Sequence, residues 1–295
     1  MARKEGKKTM SATMTRKITG ATGARARKQI ALLGCGKMGG ILLQAFLDRK
    51  LVSAEQVAAT VQHEEKARSL SGDLANIALG TDNRAAVAGA RVVLLCVKPQ
   101  ALPQVLDEIA SALEPGALVI SIAASTTAGF IQQKLGKDVA VVRAMPNTPA
   151  MVGAAMTALC AGAAASHENL ETAKRLFESI GRVVIVDEKH MDAITALSAS
   201  GPAFAFVILE SLAEAGVKVG LPREMATTLA AQTLFGSAKL ALETGHHPAL
   251  LKDAVTTPAG CTIEGLMELE RGGLRVTLMN AVVKTTKRAK ELMGG

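Results

Sequence analysis

The chain reads as an α/β protein, with a doubly wound, mainly parallel sheet in its N-terminal part and an all-helical region after it. Three observations lead there. From residue 29 to about 187, short apolar runs alternate with helix-like stretches. The first of these runs ends in a glycine-rich turn that opens a helix. From about 188 onward the strand signals stop and long helical stretches take over. Alternation of this kind builds parallel βαβ units, whose strands are covered on both faces and so stay apolar throughout.

The predicted strands are Gln29–Leu33, Gln56–Val61, Arg91–Val97, Ala117–Ile122, Val139–Val142 and Met156–Cys160, with Arg182–Val186 closing the sheet. The helices between them are Ile41–Lys50, Glu64–Leu70, Arg84–Ala88, Ala101–Leu113, Thr127–Leu135 and Glu168–Ile180. The helical region contains Asp192–Leu197, Ala203–Val219, Arg223–Thr244, Pro248–Val255, Thr262–Arg271 and Leu274–Met293. Pro222 suits a helix start and Gly245 a helix end. Phe204-Ala-Phe-Val-Ile-Leu209 is apolar on nearly every face, which marks a helix buried in a core or an interface.

The first strand runs into Gly34-Cys-Gly-Lys-Met-Gly39, a G-x-G-x-x-G turn between a strand and a helix. That context specifies a Rossmann-type dinucleotide fold. Gly34 permits the tight turn, Gly36 lets a pyrophosphate approach the backbone, and Gly39 lets the helix pack close. The helix N-terminus adds N–H groups and the positive end of its dipole.

At 295 residues there is room for two domains, and 49% hydrophobic with 20% charged residues fits a packed globular protein. The net charge of +8 resembles a nucleic-acid signal, but its placement argues otherwise. Nine of the 34 Lys/Arg and one of the 26 acids fall in residues 1–28, leaving 25 of each for the rest. The expected division is therefore a disordered basic tail (1–28), a dinucleotide-binding domain (29–187) and a helical substrate and dimerisation domain (188–295). The tail reads as a dispensable extension, with an organellar transit peptide or an electrostatic tether as alternatives to a plain cytoplasmic setting. The longest uncharged stretch, Ala144 to His167, is broken by prolines and glycines and makes a poor membrane span. Cys35, Cys96, Cys160 and Cys261 are widely spaced, so neither a disulfide framework nor a metal site is expected.

NAD enzymes place a carboxylate at the tip of the second strand to hold the ribose hydroxyls. Here that tip reads Thr60-Val-Gln-His63, with Glu64 and Glu65 following. Thr60, Gln62 and His63 suit a 2′-phosphate, so NADPH is favoured, with NADH as the alternative. Three further segments carry chemistry. Val97-Lys98-Pro99-Gln100 ends an apolar strand at the edge where doubly wound sheets bind ligands. Arg143-Ala-Met-Pro-Asn-Thr-Pro149 stiffens the loop after another strand, as a site wall or as an ordinary rigid turn. Val255-Thr-Thr-Pro-Ala-Gly-Cys-Thr-Ile263 gathers hydroxyls and N–H groups at a helix start, a receptor for a carboxylate. Read more plainly, that segment is an N-cap turn with Thr262 serving the helix alone.

Together G-C-G-K-M-G, V-K-P-Q, M-P-N-T-P, L-S-A-S-G-P-A-F (197–204) and V-T-T-P-A-G-C-T resemble the pyrroline-5-carboxylate reductases, in order and spacing, over about residues 29–293. The last motif is that family's signature. The resemblance implies reduction of 1-pyrroline-5-carboxylate to L-proline, the last step of proline synthesis, by hydride transfer to C5 of the cyclic imine. It implies that Gly34, Gly36, Met38 and Gly39 hold the pyrophosphate, with Asn83 near the adenosine. Val97, Lys98 and Pro99 then line the ribose and nicotinamide, and Met145, Pro146 and Asn147 lie close to the reactive ring. Thr257, Gly260 and Cys261 bind the substrate carboxylate, and Thr262, the catalytic candidate, bonds the ring nitrogen. Ser200-Gly201-Pro202 shapes the helical domain near the site. A homodimer or a ring of dimers follows, with no nucleic acid, membrane or metal as partner. Ala259 and Ala199 stand where glycine is usual, Phe204 where tyrosine is frequent, and Cys261 where small or hydroxyl residues are common.

Two other readings stay open on residues alone. A β-hydroxyacid dehydrogenase would carry a lysine acid on the interdomain helix, yet after Gly201-Pro202 none occurs before Lys218. A non-catalytic NADP-binding regulator would have no use for the Thr257–Thr262 receptor. A protonated imine is already a good electrophile, and none of the five histidines falls in the motifs. Catalysis by positioning is the expectation.

Overall fold

The computed structural model describes residues 28–70 and 77–292. Apart from Lys28, the basic tail lies outside the described residues. Eight strands form one sheet: β1 Ile30–Leu33, β2 Val57–Thr60, β3 Ala78–Gly80, β4 Val92–Leu95, β5 Leu118–Ser121, β6 Ala140–Met145, β7 Ala155–Ala161 and β8 Gly181–Ile185. Their spatial order is β3-β2-β1-β4-β5-β6-β7-β8, and every neighbouring pair is parallel except β6 with β7. Ile30 of β1 stands opposite Val57 on one side and Val92 on the other. The order reverses between β1 and β4, which creates a crevice at the carboxyl ends of these two strands.

The helices of this part are α1 Lys37–Asp48, α2 Glu64–Leu70, α3 Asn83–Val87, α4 Leu102–Ile109, α5 Ala128–Leu135 and α6 His167–Glu178. They cover both sheet faces. Along β1, Ile30 and Leu32 enter one core cluster with Leu42, Phe46 and Phe177, while Ala31 and Leu33 enter the other with Leu106, Ile109 and Ile131. Burial on both faces is why the strand has no polar position. β3 was not among the expected strands. It has three residues, none of them fully buried, and so leaves no apolar run to detect.

The chain then turns helical: α7 Met191–Ile194, α8 Gly201–Lys218, α9 Arg223–Thr244, α10 Pro248–Ala254, α11 Cys261–Arg271 and α12 Leu274–Glu291. Two expected helices, Asp192–Leu197 and Ala203–Val219, are parts of one helical run from Glu188 to Lys218. They are joined through a π-helical segment, Thr195–Ala199. That 31-residue run is long and apolar enough to cross a membrane by length and composition. Among the described residues, α8 to α12 bury only Ala213, Ala226, Ala230 and Ala289. Phe206 (64%), Phe235 (60%) and Val283 (65%) are largely exposed. Within one chain this half has no large-residue core of its own. Its closest internal packing is α8 on α9, where Gly216 faces Ala226.

Candidate active site

Gly34 leaves β1 with φ +91°, and a Cβ there would lie 2.9 Å from Val97 Cγ1 and 3.0 Å from the Cys96 backbone. Only glycine meets both demands, the left-handed backbone and the close approach of the strand-end of β4. Gly39 is the packing glycine: its Cβ would fall 2.5 Å from the Gly34 carbonyl oxygen and 3.1 Å from Leu32. Gly36 differs, since a Cβ there would meet nothing nearer than Gly34 O at 3.9 Å. It caps α1 with no side-chain hydrogen bond, so the first-turn N–H groups, Met38 included, keep their donor capacity. Open space, a helix N-terminus and an absent side chain meet at one point, and these residues fit a pyrophosphate.

Thr60 is corrected by the structure. It is 3% exposed, its hydroxyl donates to Asn83 Oδ1 at 2.8 Å, and it accepts from the Gly34 N–H at 3.3 Å. A hydroxyl so engaged braces the glycine turn and has no reach toward a 2′-phosphate. Asn83 in turn donates to Glu108 at 2.7 Å. Gln62 and His63 are exposed past the end of β2, while the Glu64 carboxylate accepts from Thr81 Oγ1 at 2.7 Å beside β3.

At the carboxyl end of β4, Lys98 is exposed, with Val97 and Pro99 half-buried. At the end of β6, Met145 and the following Pro146 are buried. Asn147 bridges two elements: its Nδ2 donates to the Ser198 carbonyl at 3.2 Å and its Oδ1 accepts from the Met156 N–H at 3.0 Å. Thr148 faces Ala199, Ser200, Pro202, Ala203 and Phe204 across a cavity of about 390 Å³. Beta6 also holds Arg143, 2% exposed, whose Nη1 donates to Glu188 at 2.8 Å. No sequence motif pairs Arg143 with Glu188. The signal was there in a lone arginine within Val141-Val-Arg-Ala144.

In the loop before α11, Thr262 does not serve as the cap. The cap is Gly260, without a side-chain bond, and the helix begins at Cys261. Thr256 donates to the Lys252 carbonyl at 2.8 Å, whereas the Thr257 and Thr262 hydroxyls have no hydrogen-bond partner among the described residues. Ala259 adopts φ 58°, a left-handed geometry that costs an L-residue roughly 1 kcal/mol against glycine. Ala259→Gly is therefore expected to raise the melting temperature, with about 1 kcal/mol of added stability. An unchanged or lower melting temperature would show that this turn is unstrained.

Among the described residues the α11 loop is largely exposed, and the extended packing of α11 is against α12 rather than against the nucleotide elements. Among the described residues no group of three His, Cys, Asp or Glu could hold a metal ion. The four cysteines are unpaired. Burial pushes the Cys35 and Cys96 thiols up, and it raises Cys160 to about 11, with Glu188 adding to the effect. These three thiols stay protonated at neutral pH and are poor nucleophiles.

A family model described as pyrroline-5-carboxylate reductase dimerisation matches residues 188–292. One described as NADP oxidoreductase, coenzyme F420-dependent, matches residues 29–125. The pyrroline-5-carboxylate reductase of Methanosarcina acetivorans is 42% identical, covering 90% of this chain and 98% of its own. That of Escherichia coli is 35% identical over the same shares. The solved pyrroline-5-carboxylate reductase of Coxiella burnetii superposes with a TM-score of 0.83 at 34% identity, over 90% of this chain and 98% of its own. The Plasmodium falciparum pyrroline carboxylate reductase, solved with NADP bound, gives 0.82 at 27% identity, over 92% and 100%. A sheet of this order, a glycine turn at its switch point and relatives matched along nearly their whole length lead to one assignment: the chain belongs to the pyrroline-5-carboxylate reductase family.

Proposed function

We propose that this chain reduces 1-pyrroline-5-carboxylate to L-proline, with NADPH preferred over NADH. The observation that carries it is the α11 loop, where two uncommitted threonine hydroxyls stand at a helix N-terminus capped by glycine. Gly34, Gly36, Met38 and Gly39 hold the pyrophosphate, Gln62 and Asn83 serve the adenosine side, and Val97, Lys98, Pro99, Met145, Pro146 and Asn147 line the path toward the reactive ring. When bound, the nicotinamide supplies a hydride. Thr257 and the N–H groups at Gly260 and Cys261 bind the substrate carboxylate, and the helix dipole favours that negative charge. Thr262 holds the imine nitrogen and so orients the ring. No side chain needs to deliver a proton by strong acid catalysis, because the imine enters protonated.

The 29–187 and 188–295 parts act as a nucleotide domain and a substrate and dimerisation domain. Because the helical half lacks a core and its loop stands apart from the nucleotide turn, a second copy covers the apolar helices and completes the site. The product is a dimer, or a ring of dimers, in which protein rather than lipid covers the Glu188–Lys218 helix. Free thiols and a charge-balanced folded part fit a cytoplasmic enzyme without a nucleic-acid partner. Against a β-hydroxyacid dehydrogenase, Lys218 lies at the far end of α8, about 25 Å along the axis from Gly201.

The test is NADPH oxidation with pyrroline-5-carboxylate, repeated with NADH, beside NADP reduction with 2-hydroxy acids. Turnover on the imine alone, with the lower KM for NADPH, is expected. Tight NADPH binding without turnover on either would replace this reading with a nucleotide-binding regulator.

A further inference from the structure

We propose that Arg143 and Glu188 form a positioning latch that sets the distance between the two walls of the cavity at Thr148 and Ser200. This rests on the proposed reading of Met145, Pro146 and Asn147, beside that cavity, as the path toward the reactive ring.

The cavity has walls of different origin. Thr148 comes from the loop after β6, while Ala199, Ser200, Pro202 and Phe204 come from the long helical run that starts at Glu188. Two ties join β6 and its loop to that run. Near its root, Arg143 Nη1 donates to Glu188 Oε1 at 2.8 Å. The same oxygen accepts from the Ala128 N–H at 2.8 Å, so one carboxylate gathers strand, helix α5 and the start of the run. Ten residues along, roughly 15 Å up the axis, Ser198 accepts from Asn147. Pro202 makes the second tie available. In an α-helix the Ser198 carbonyl would accept from residue 202, and proline has no N–H, so that carbonyl is left for Asn147; beside it, Ser200 N–H reaches back to the Thr195 carbonyl at 2.9 Å across the π-helical segment.

Arg143 is an unusual choice for packing alone. It is nearly fully buried and its Nε has no hydrogen-bond partner among the described residues. Its partner Glu188 is half-buried (38% exposed against 3% for Arg143), so the pair is weak as a source of stability and can be matched by apolar side chains, while the buried guanidinium is strict about geometry. Its location supplies the reason for that strictness. Arg143 lies two residues before Met145 and four before Asn147 on the same strand and loop, so any drift of the helix root relative to β6 changes the width of the cavity. Neither residue reaches the cavity itself, so both act through the elements they hold.

The experiment compares wild type, Glu188→Gln, and the double variant Arg143→Met/Glu188→Met by kinetics, NADPH titration, thermal melting and amide hydrogen exchange. Glu188→Gln is expected to lower kcat at least tenfold with the NADPH Kd within about twofold, because the glycine turn is untouched. The double variant is expected to recover melting temperature without recovering kcat. In both, exchange should quicken at residues 145–148 and 199–204 and stay protected in β1, β4 and β5. Wild-type kcat in either folded variant, unchanged exchange at both walls, or failure of both variants to fold would assign the pair a purely structural role and overturn the proposal. Wild-type turnover on pyrroline-5-carboxylate checks the substrate reading separately, and the exchange pattern decides the latch even where that reading fails.

Discussion

Gly36→Ala is expected to weaken NADPH binding at least ~100-fold, about 2.8 kcal/mol, while leaving the melting temperature close to wild type. The fold has room for this methyl group, since its nearest neighbour would be Gly34 O at 3.9 Å and the backbone φ of −86° suits alanine. The space it enters is where a pyrophosphate must approach the α1 N-terminus, so the loss falls on the ligand. Gly39→Ala gives the contrasting result. There the methyl would sit 2.5 Å from the Gly34 carbonyl and 3.2 Å from Cys96 Cβ, forcing α1 off the sheet. Both melting temperature and affinity should fall. Fluorescence titration with NADPH beside thermal melting separates the two. Full affinity in Gly36→Ala would remove this turn as the pyrophosphate site.

Thr262→Ala is expected to lower kcat by roughly 10- to 100-fold, the value of one hydrogen bond of 1.5–3 kcal/mol made to a charged group. The NADPH Kd should not change, because the α11 loop lies apart from the glycine turn. The structure strengthens this expectation by freeing the hydroxyl from capping duty, which falls to Gly260. Thr262→Ser keeps the donor and should keep most of the activity. Thr257→Ala should act chiefly on KM, since the carboxylate is held equally before and during reduction. Steady-state kinetics at saturating NADPH reads all three. An unchanged kcat in Thr262→Ala would take that residue out of the mechanism.

Local pattern carried much of the architecture. Both-face burial writes itself into strands such as Ile30-Ala-Leu-Leu33, and the strand–glycine turn–helix order specified the nucleotide fold before any contact was known. Helices α9 and α2 begin and end where their patterns predicted. The failures have physical causes. β3 is too short and too exposed to carry a periodic signal. The break expected between two helices at residues 197–203 is a π-helical register shift, which changes hydrogen bonding without interrupting the apolar face.

Side-chain roles divided in the same way. Gly34, Gly36 and Gly39 could be ordered by function from spacing, because each answers to neighbours within a few residues or on the adjoining strand. Thr60 could not, because its hydroxyl is taken by Asn83, 23 residues later. Arg143 with Glu188 and Asn147 with Ser198 span 45 and 51 residues. The sequence alone determined the fold class and the strand–glycine turn–helix unit, and it marked the α11 loop as the receptor proposed above, since these rest on backbone geometry written into consecutive residues. Only the tertiary structure decided which hydroxyls are free, what ties β6 to the long helix, and that the helical half leaves its large apolar side chains exposed. Those outcomes depend on which surfaces meet in space, and no local pattern encodes that.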